Sequence, residues 1–123
     1  GLDARGFLIG GAVAAQLGVG VVAVRKGGKL PPPVIGIDYD LEYGSARLEV
    51  PAEGIDLAGR RVAVVDDVLA TGGTAVASGT LLRKAGGEVT TVAVIMELAD
   101  MDGRGVVAEG LGESVVVRNL CEG

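Results

Sequence analysis

The sequence predicts an α/β domain: an open, mostly parallel twisted sheet flanked by helices, carrying a long flexible lid or hairpin loop. Three observations predict it. After Arg61 the run Val62-Ala63-Val64-Val65 is apolar and mostly β-branched, as in strands buried on both faces of a parallel sheet, and Asp66 and Asp67 follow at its carboxyl end. A small-residue turn, Ala70-Thr71-Gly72-Gly73-Thr74, then opens a helical stretch, Ala75 to Ala85, that stops at the Gly86-Gly87 pair. The composition is 49% hydrophobic with 22 glycines and 2% aromatic residues, so the core must be built from Val, Leu, Ile and Ala, which favours an α/β sheet.

In chain order, Gly1 to Gly6 reads as a loop. Phe7 to Leu17 reads as a helix ended by Gly18, with Phe7, Gly11, Ala14 and Ala15 letting it lie close on the sheet. Gly20 to Val24 is a short strand, expected to be a parallel partner of the central one. Lys26 to Val50 does not read as core, because Gly27-Gly28 and Pro31-Pro32-Pro33 break regular structure. Asp38 to Val50 then alternates into a hairpin-like piece. An insertion this long, about residues 26–50 of a single domain spanning 1–123, suits a lid that closes over a reactive ligand and keeps water out. Pro51 to Gly59 connects to the central strand. Glu88 to Met96 is a second apolar strand with Glu97 at its carboxyl end. Ala99 to Gly112 is expected to be irregular, with at most a helical turn, and Ser114 to Leu120 is the final strand. Cys121 to Gly123 carries no signal.

Composition also excludes whole classes of function. A net charge of −5 argues against a general nucleic-acid surface, which needs a basic footprint. Arg25, Lys26 and Lys29 nonetheless place three cations within five residues, where an anion would be drawn. With no histidine in the chain, Ser-His and Cys-His nucleophiles and any imidazole base are excluded. Cys121 is the single cysteine, so no internal disulfide forms, and a reducing, cytoplasmic compartment is expected. No run of eighteen apolar residues suggests a membrane span. The chain starts without Met or a signal-like segment, so a natural N-terminal segment is expected upstream.

The order strand, acidic pair, glycine turn and helix has a physical purpose. Without side chains in the way, the amides of Thr71, Gly72, Gly73 and Thr74 can converge on one anion at the positive end of a helix, with the Thr71 and Thr74 hydroxyls as further donors. Asp66 and Asp67 sit outside the carboxyl end of a strand, where open α/β sheets bind ligands. Carboxylates beside a phosphate cradle suit a vicinal diol, so the expected ligand is a phosphorylated ribose. The turn lacks the Gly-Lys-Ser/Thr of a Walker loop and the dinucleotide pattern Gly-x-Gly-x-x-Gly.

Val64-Val65-Asp66-Asp67-Val68-Leu69-Ala70-Thr71-Gly72-Gly73-Thr74 resembles the phosphoribosyl-pyrophosphate signature of the type I phosphoribosyltransferases. Gly1-Leu2-Asp3-Ala4-Arg5-Gly6-Phe7, Val24-Arg25-Lys26-Gly27-Gly28-Lys29-Leu30-Pro31 and Leu41-Glu42-Tyr43-Gly44 are similar to motifs of the family's adenine-specific branch, in the same order. The resemblance implies a type I phosphoribosyltransferase core lacking its N-terminal part, which transfers a phosphoribosyl group from phosphoribosyl pyrophosphate to adenine. It implies that Asp66 and Asp67 hold the ribose diol and that Ala70, Thr71, Gly72, Gly73 and Thr74 hold the 5′-phosphate. Pyrophosphate falls to Asp3, Ala4 and Arg5, the first two through their backbone, together with Arg25, Lys26 and Lys29. A strained or cis peptide is implied between Asp3 and Ala4. Arg5 and Glu42 are the catalytic candidates, and for Glu42 two roles stay open: the acid that protonates or hydrogen-bonds the purine imidazole nitrogen, or a residue that orders the lid. Magnesium is implied as an ion carried in by the substrate, and a homodimer as the assembly. Two other readings remain: a relative using another purine or pyrimidine base, and a non-catalytic domain that senses a phosphoribosyl compound.

Overall fold

The computed structural model describes residues 1–41 and 43–123. Its parallel sheet is built on β4 (Arg61–Leu69) and β5 (Glu88–Glu97), with β6 (Val116–Arg118) and β7 (Cys121–Glu122) both pairing with β5. Val64 and Val92, at the centre of the two long strands, are 1% exposed. β4 runs further than the apolar run suggested and includes Asp66, Asp67, Val68 and Leu69, because its ladder with β5 continues to the pair Leu69–Glu97. The two carboxylates therefore lie within the last turn of the pleat rather than beyond it.

The strand expected at Gly20 to Val24 does not pair with β4. The Gly1–Asp3 segment lies between them: the Leu2 amide donates to Val65 O (3.1 Å), the Asp3 amide to Val24 O (3.0 Å), and the Val24 amide to Gly1 O (3.0 Å). What reads as a loop is thus bonded on both sides, and Leu2 and Val24, joined by a parallel bridge, are almost fully buried. The peptide between Asp3 and Ala4 is cis, as is Pro32–Pro33.

Helix α1 (Gly6–Leu17) ends at Gly18, whose φ of 68° lets its amide turn back to Ala14 O and Ala15 O. Its buried stripe is Gly6, Gly10 and Ala14, one residue on every turn; Gly11 meets nothing and Ala15 is exposed, contrary to the expected face. Helix α2 (Gly73–Lys84) begins two residues earlier than expected and buries Ala75, Ala77, Ser78, Gly79, Leu81 and Leu82. The Ser78 hydroxyl donates to Thr74 O at 2.7 Å, which satisfies it inside the core. At Gly79 a Cβ would come within 2.6 Å of the Leu111 side chain, so the glycine sets how closely the next helix can pack.

That helix is α3 (Gly103–Leu111), which follows a 3-10 turn over Ala99–Met101. It replaces the irregular segment expected from Gly103, Gly105 and Gly110. Asp102 caps it by accepting from the Gly105 amide, and Val107 and Leu111 bury its inner face. The tail is also structured: Cys121 and Glu122 pair with Met96 and Glu97.

The insertion forms a second, antiparallel sheet of β1 (Arg25–Lys26), β3 (Gly44–Pro51) and β2 (Val34–Leu41), in that order. Its base belongs to the core, contrary to expectation: Leu48, Glu49 and Val50 are buried, and β2 lies along α2, with Lys84 Nζ donating to Gly36 O (3.1 Å). Glu42, between β2 and β3 in the sequence, lies outside the described residues.

Candidate functional site

The turn after β4 is the stretch expected to cradle an anion. Gly72 takes φ 90°, which only glycine adopts readily, and this reversal starts α2 within a residue of the sheet edge. The amides of Thr71, Gly72, Gly73 and Thr74 meet no protein acceptor among the described residues, as expected at a helix N-terminus, where four donors are left over. A cavity of about 110 Å³ beside the turn is lined by Ala70, Thr71, Gly72, Thr74 and Asp66, together with Val92 and Val94. Tyr39 of β2 reaches the same place, its hydroxyl 3.5 Å from Thr74 Oγ1.

Asp66 and Asp67 each fold one oxygen back onto the next amide: Asp67 N–H to Asp66 Oδ1 and Val68 N–H to Asp67 Oδ1, both 2.9 Å. Successive strand side chains point to opposite faces, and here the two acids separate. Asp66 looks into the cavity, whereas Asp67 Oδ2 takes the Arg5 guanidinium at 2.6 Å. Burial, with the Asp67 charge adding to it, pushes the Asp66 carboxyl up to about 6 against the opposing pull of the Asp67 amide and Arg5.

The basic residues gather on one buried carboxylate. Asp3 Oδ2 accepts the Lys26 amide (3.2 Å) and faces Lys29 Nζ (3.4 Å) and Arg25 Nε (3.6 Å). Burial alone would raise the Asp3 carboxyl, but the Lys26 amide and the Lys29 and Arg25 charges outweigh it and hold it below the ordinary carboxylate range. Arg25 also stacks on Phe7, its guanidinium carbon 5.8 Å from the ring centre. Asp3 is thus an organiser of the cations, and its carboxylate is used up within the protein.

Sequence reasoning missed Glu49. Its buried carboxylate accepts the Gly28 amide (2.9 Å) and pairs with Arg47 (3.0 Å), so it sits inside the turn that joins Lys26 to Lys29. Those contacts, the Gly28 amide first, hold its carboxyl low. The only hint was an acid in the otherwise apolar run Leu48-Glu49-Val50. Arg5, Asp67 and Asp66 form one connected set, Asp3, Arg25, Lys26 and Lys29 another, and the backbone from Asp3 to Arg5 links them. Ala4 is exposed beside both. Among the described residues no group of three or more His, Cys, Asp or Glu is placed to hold a metal.

The fold is of the open α/β class, in which ligands bind at the carboxyl ends of the parallel strands, where Asp66, Asp67 and the Ala70–Thr74 turn lie. Residues 1–109 match the family described as phosphoribosyl transferase domain. The chain is 70% identical over 104 residues to the adenine phosphoribosyltransferase of Mycolicibacterium vanbaalenii, which covers 85% of this chain and 60% of the relative. It superposes on the crystal structure of adenine phosphoribosyltransferase from Thermoanaerobacter pseudethanolicus with a TM-score of 0.88 at 43% identity, covering 99% of this chain and 67% of that one. The enzyme from Saccharomyces cerevisiae, solved with an imino-altritol bisphosphate and adenine, matches with a TM-score of 0.86 at 40% identity over 98% of this chain and 64% of that one. The chain belongs to the phosphoribosyl transferase domain family. It spans about 60% of the length of the curated relatives it matches.

Proposed function

We propose that the domain transfers the 5-phosphoribosyl group from phosphoribosyl pyrophosphate to adenine, giving AMP and pyrophosphate. The observation that carries the reading is the cavity lined by Asp66 and by Ala70, Thr71, Gly72 and Thr74 of the turn, beside a separate cluster of cations. The loop anchors the 5′-phosphate, Asp66 meets the ribose hydroxyls, and Asp67 joins it once Arg5 turns to the diphosphate. Adenine as the base is supported by the names of the relatives and by the yeast structure with adenine.

The chemistry asks for charge placement more than for proton transfer. The bond from C1′ to the diphosphate oxygen breaks, the bond from C1′ to N9 of adenine forms, and the N9 proton is released; the sugar passes through an oxocarbenium-like state. Arg5, Arg25, Lys26 and Lys29 neutralise the leaving diphosphate, which carries its magnesium, each charge-assisted hydrogen bond being worth roughly 1.5–3 kcal/mol. Anchoring the remote phosphate fixes C1′ against the base. Glu42, by its position in the motif, is assigned to the purine imidazole or to ordering the lid formed by the hairpin tip. The working unit is taken as a cytoplasmic homodimer, which sedimentation of the purified protein checks.

The test mixes the protein with magnesium, phosphoribosyl pyrophosphate and each purine or pyrimidine base in turn and measures pyrophosphate release. Release with adenine alone supports the proposal. Release with another base moves the assignment to a sister transferase, and tight sugar-phosphate binding with no release under any base makes the domain a sensor.

A further inference from the structure

The carboxyl end of β5 carries an ion-pair cluster that the reaction above does not use. Glu97 is 5% exposed, and Arg104 grips it with two nitrogens, Nε to Oε2 at 3.1 Å and Nη2 to Oε1 at 2.7 Å. Arg104 Nη1 donates to Val117 O (3.1 Å), and Asn119 Nδ2 donates to Glu97 Oε1 (2.8 Å). The carboxylate is therefore satisfied by three side-chain donors, and the cluster ties together the end of β5, the start of α3 and the link from β6 to β7. Arg104, followed by Asn119, holds the Glu97 carboxyl below the ordinary range.

The cluster abuts the loop at Ala70–Thr74 closely, with main chain against main chain. Leu69, the residue before Ala70, pairs in register with Glu97 and accepts the Leu98 amide at 2.9 Å. Gly103, next to Arg104, lies backbone against backbone on the loop: a Cβ on Gly72 would meet Gly103 O at 2.8 Å, and a Cβ on Gly103 would collide with Ala70 O. The Val106 and Leu69 side chains pack into the same contact and leave no slack, so a displacement of the start of α3 passes directly to Ala70–Gly72.

We infer that Glu97 and Arg104 are positioning residues for the 5′-phosphate subsite: by fixing the first turn of α3 against the loop they set where the amides of Thr71 to Thr74 point. The inference rests on reading that loop as the phosphate subsite. A preorganised donor set loses affinity when its frame shifts by a fraction of an ångström, and the loss falls on the ligand that the frame holds.

The test uses two variants. Arg104→Lys keeps the charge and loses the two-pronged grip. The double variant Glu97→Gln with Arg104→Met removes both charges together, so that no unpaired charge is left buried and the fold is retained. In each, KM for phosphoribosyl pyrophosphate is expected to rise about tenfold, the scale of a misplaced contact, with kcat within about twofold and KM for adenine unchanged. Calorimetry with ribose 5-phosphate, which needs no turnover, should show the same loss of affinity. A folded variant with wild-type KM and wild-type ribose 5-phosphate affinity overturns the inference, as does a fall in kcat that merely follows thermal stability. Wild-type protein that fails to bind ribose 5-phosphate overturns the phosphate-loop reading itself, and this inference with it.

Discussion

Asp66 should make the protein lose stability as the pH rises through weak acid, and Asp66→Asn should abolish that loss. Its carboxyl is pushed from 3.8 to about 6, chiefly by burial, with Asp67 adding to it. Between those values the folded state holds a proton that the unfolded chain has given up, so folding is favoured at pH 4 and the advantage is gone above pH 6. At full strength a shift of this size corresponds to about 3 kcal/mol. Asp66 is only half-buried and faces Arg5 across Asp67, so solvent screening leaves about 1 kcal/mol. The substituted side chain would keep an acceptor for the Asp67 amide and has nothing to titrate. Urea unfolding in chelator from pH 4 to 7 reads the difference: with a slope of about 2 kcal/mol per molar, the wild-type midpoint should fall by about 0.5 M relative to the variant. The background loss of Asp3, Glu49 and Glu97, whose carboxyls are held low and which destabilise only as the pH drops through their folded values, is common to both proteins and cancels. Parallel curves, or a wild type that gains on the variant with rising pH, would refute the reasoning.

Three further outcomes are expected. Gly72→Ala forces a side chain into φ 90° and against Gly103 O, and should cost about 2 kcal/mol, seen as a lower melting temperature together with weaker ribose 5-phosphate binding. Leu81→Ala, at a fully buried position, should cost about 2–5 kcal/mol in urea unfolding while leaving KM for phosphoribosyl pyrophosphate unchanged. Asp67→Asn should raise that KM at least about tenfold, the worth of one charged hydrogen bond, whereas Glu53→Gln, in an exposed turn, should leave it alone; equal effects would remove Asp67 from the diol.

The strand, turn and helix around Asp66 were legible because their punctuation agrees with the final fold: a β-branched run, then a Gly-Gly turn, then a periodic segment that Gly86-Gly87 stops. Of the expected core types, Val, Leu and Ala are buried, while Ile35, Ile37 and Ile55 pack against them only partly buried. Helix α3 was not legible, because Gly103, Gly105 and Gly110 lower local propensity; they are needed for close approach to Ala70, Asp102 and Val76, a tertiary demand with no local signature. The same holds for Gly1–Asp3, whose strand-like pairing depends wholly on Val24 and Val65. Of the site, the residue types were legible and their partners were not. Nothing local says that Asp3 neutralises Lys29 and Arg25, that Arg5 rests on Asp67, or that Glu49 fills the turn at Gly28, since each pairing spans the fold.

The interior place of Gly1–Asp3 has a consequence for how the chain assembles. Its amides are bonded partly to Val24 and partly to Val65, so on the ribosome this segment waits without its inner neighbour until β4 has emerged, and α1, attached directly behind it, waits too. Arg5 and the Asp3–Ala4 backbone, the proposed diphosphate contacts, are accordingly among the last groups to be set in place.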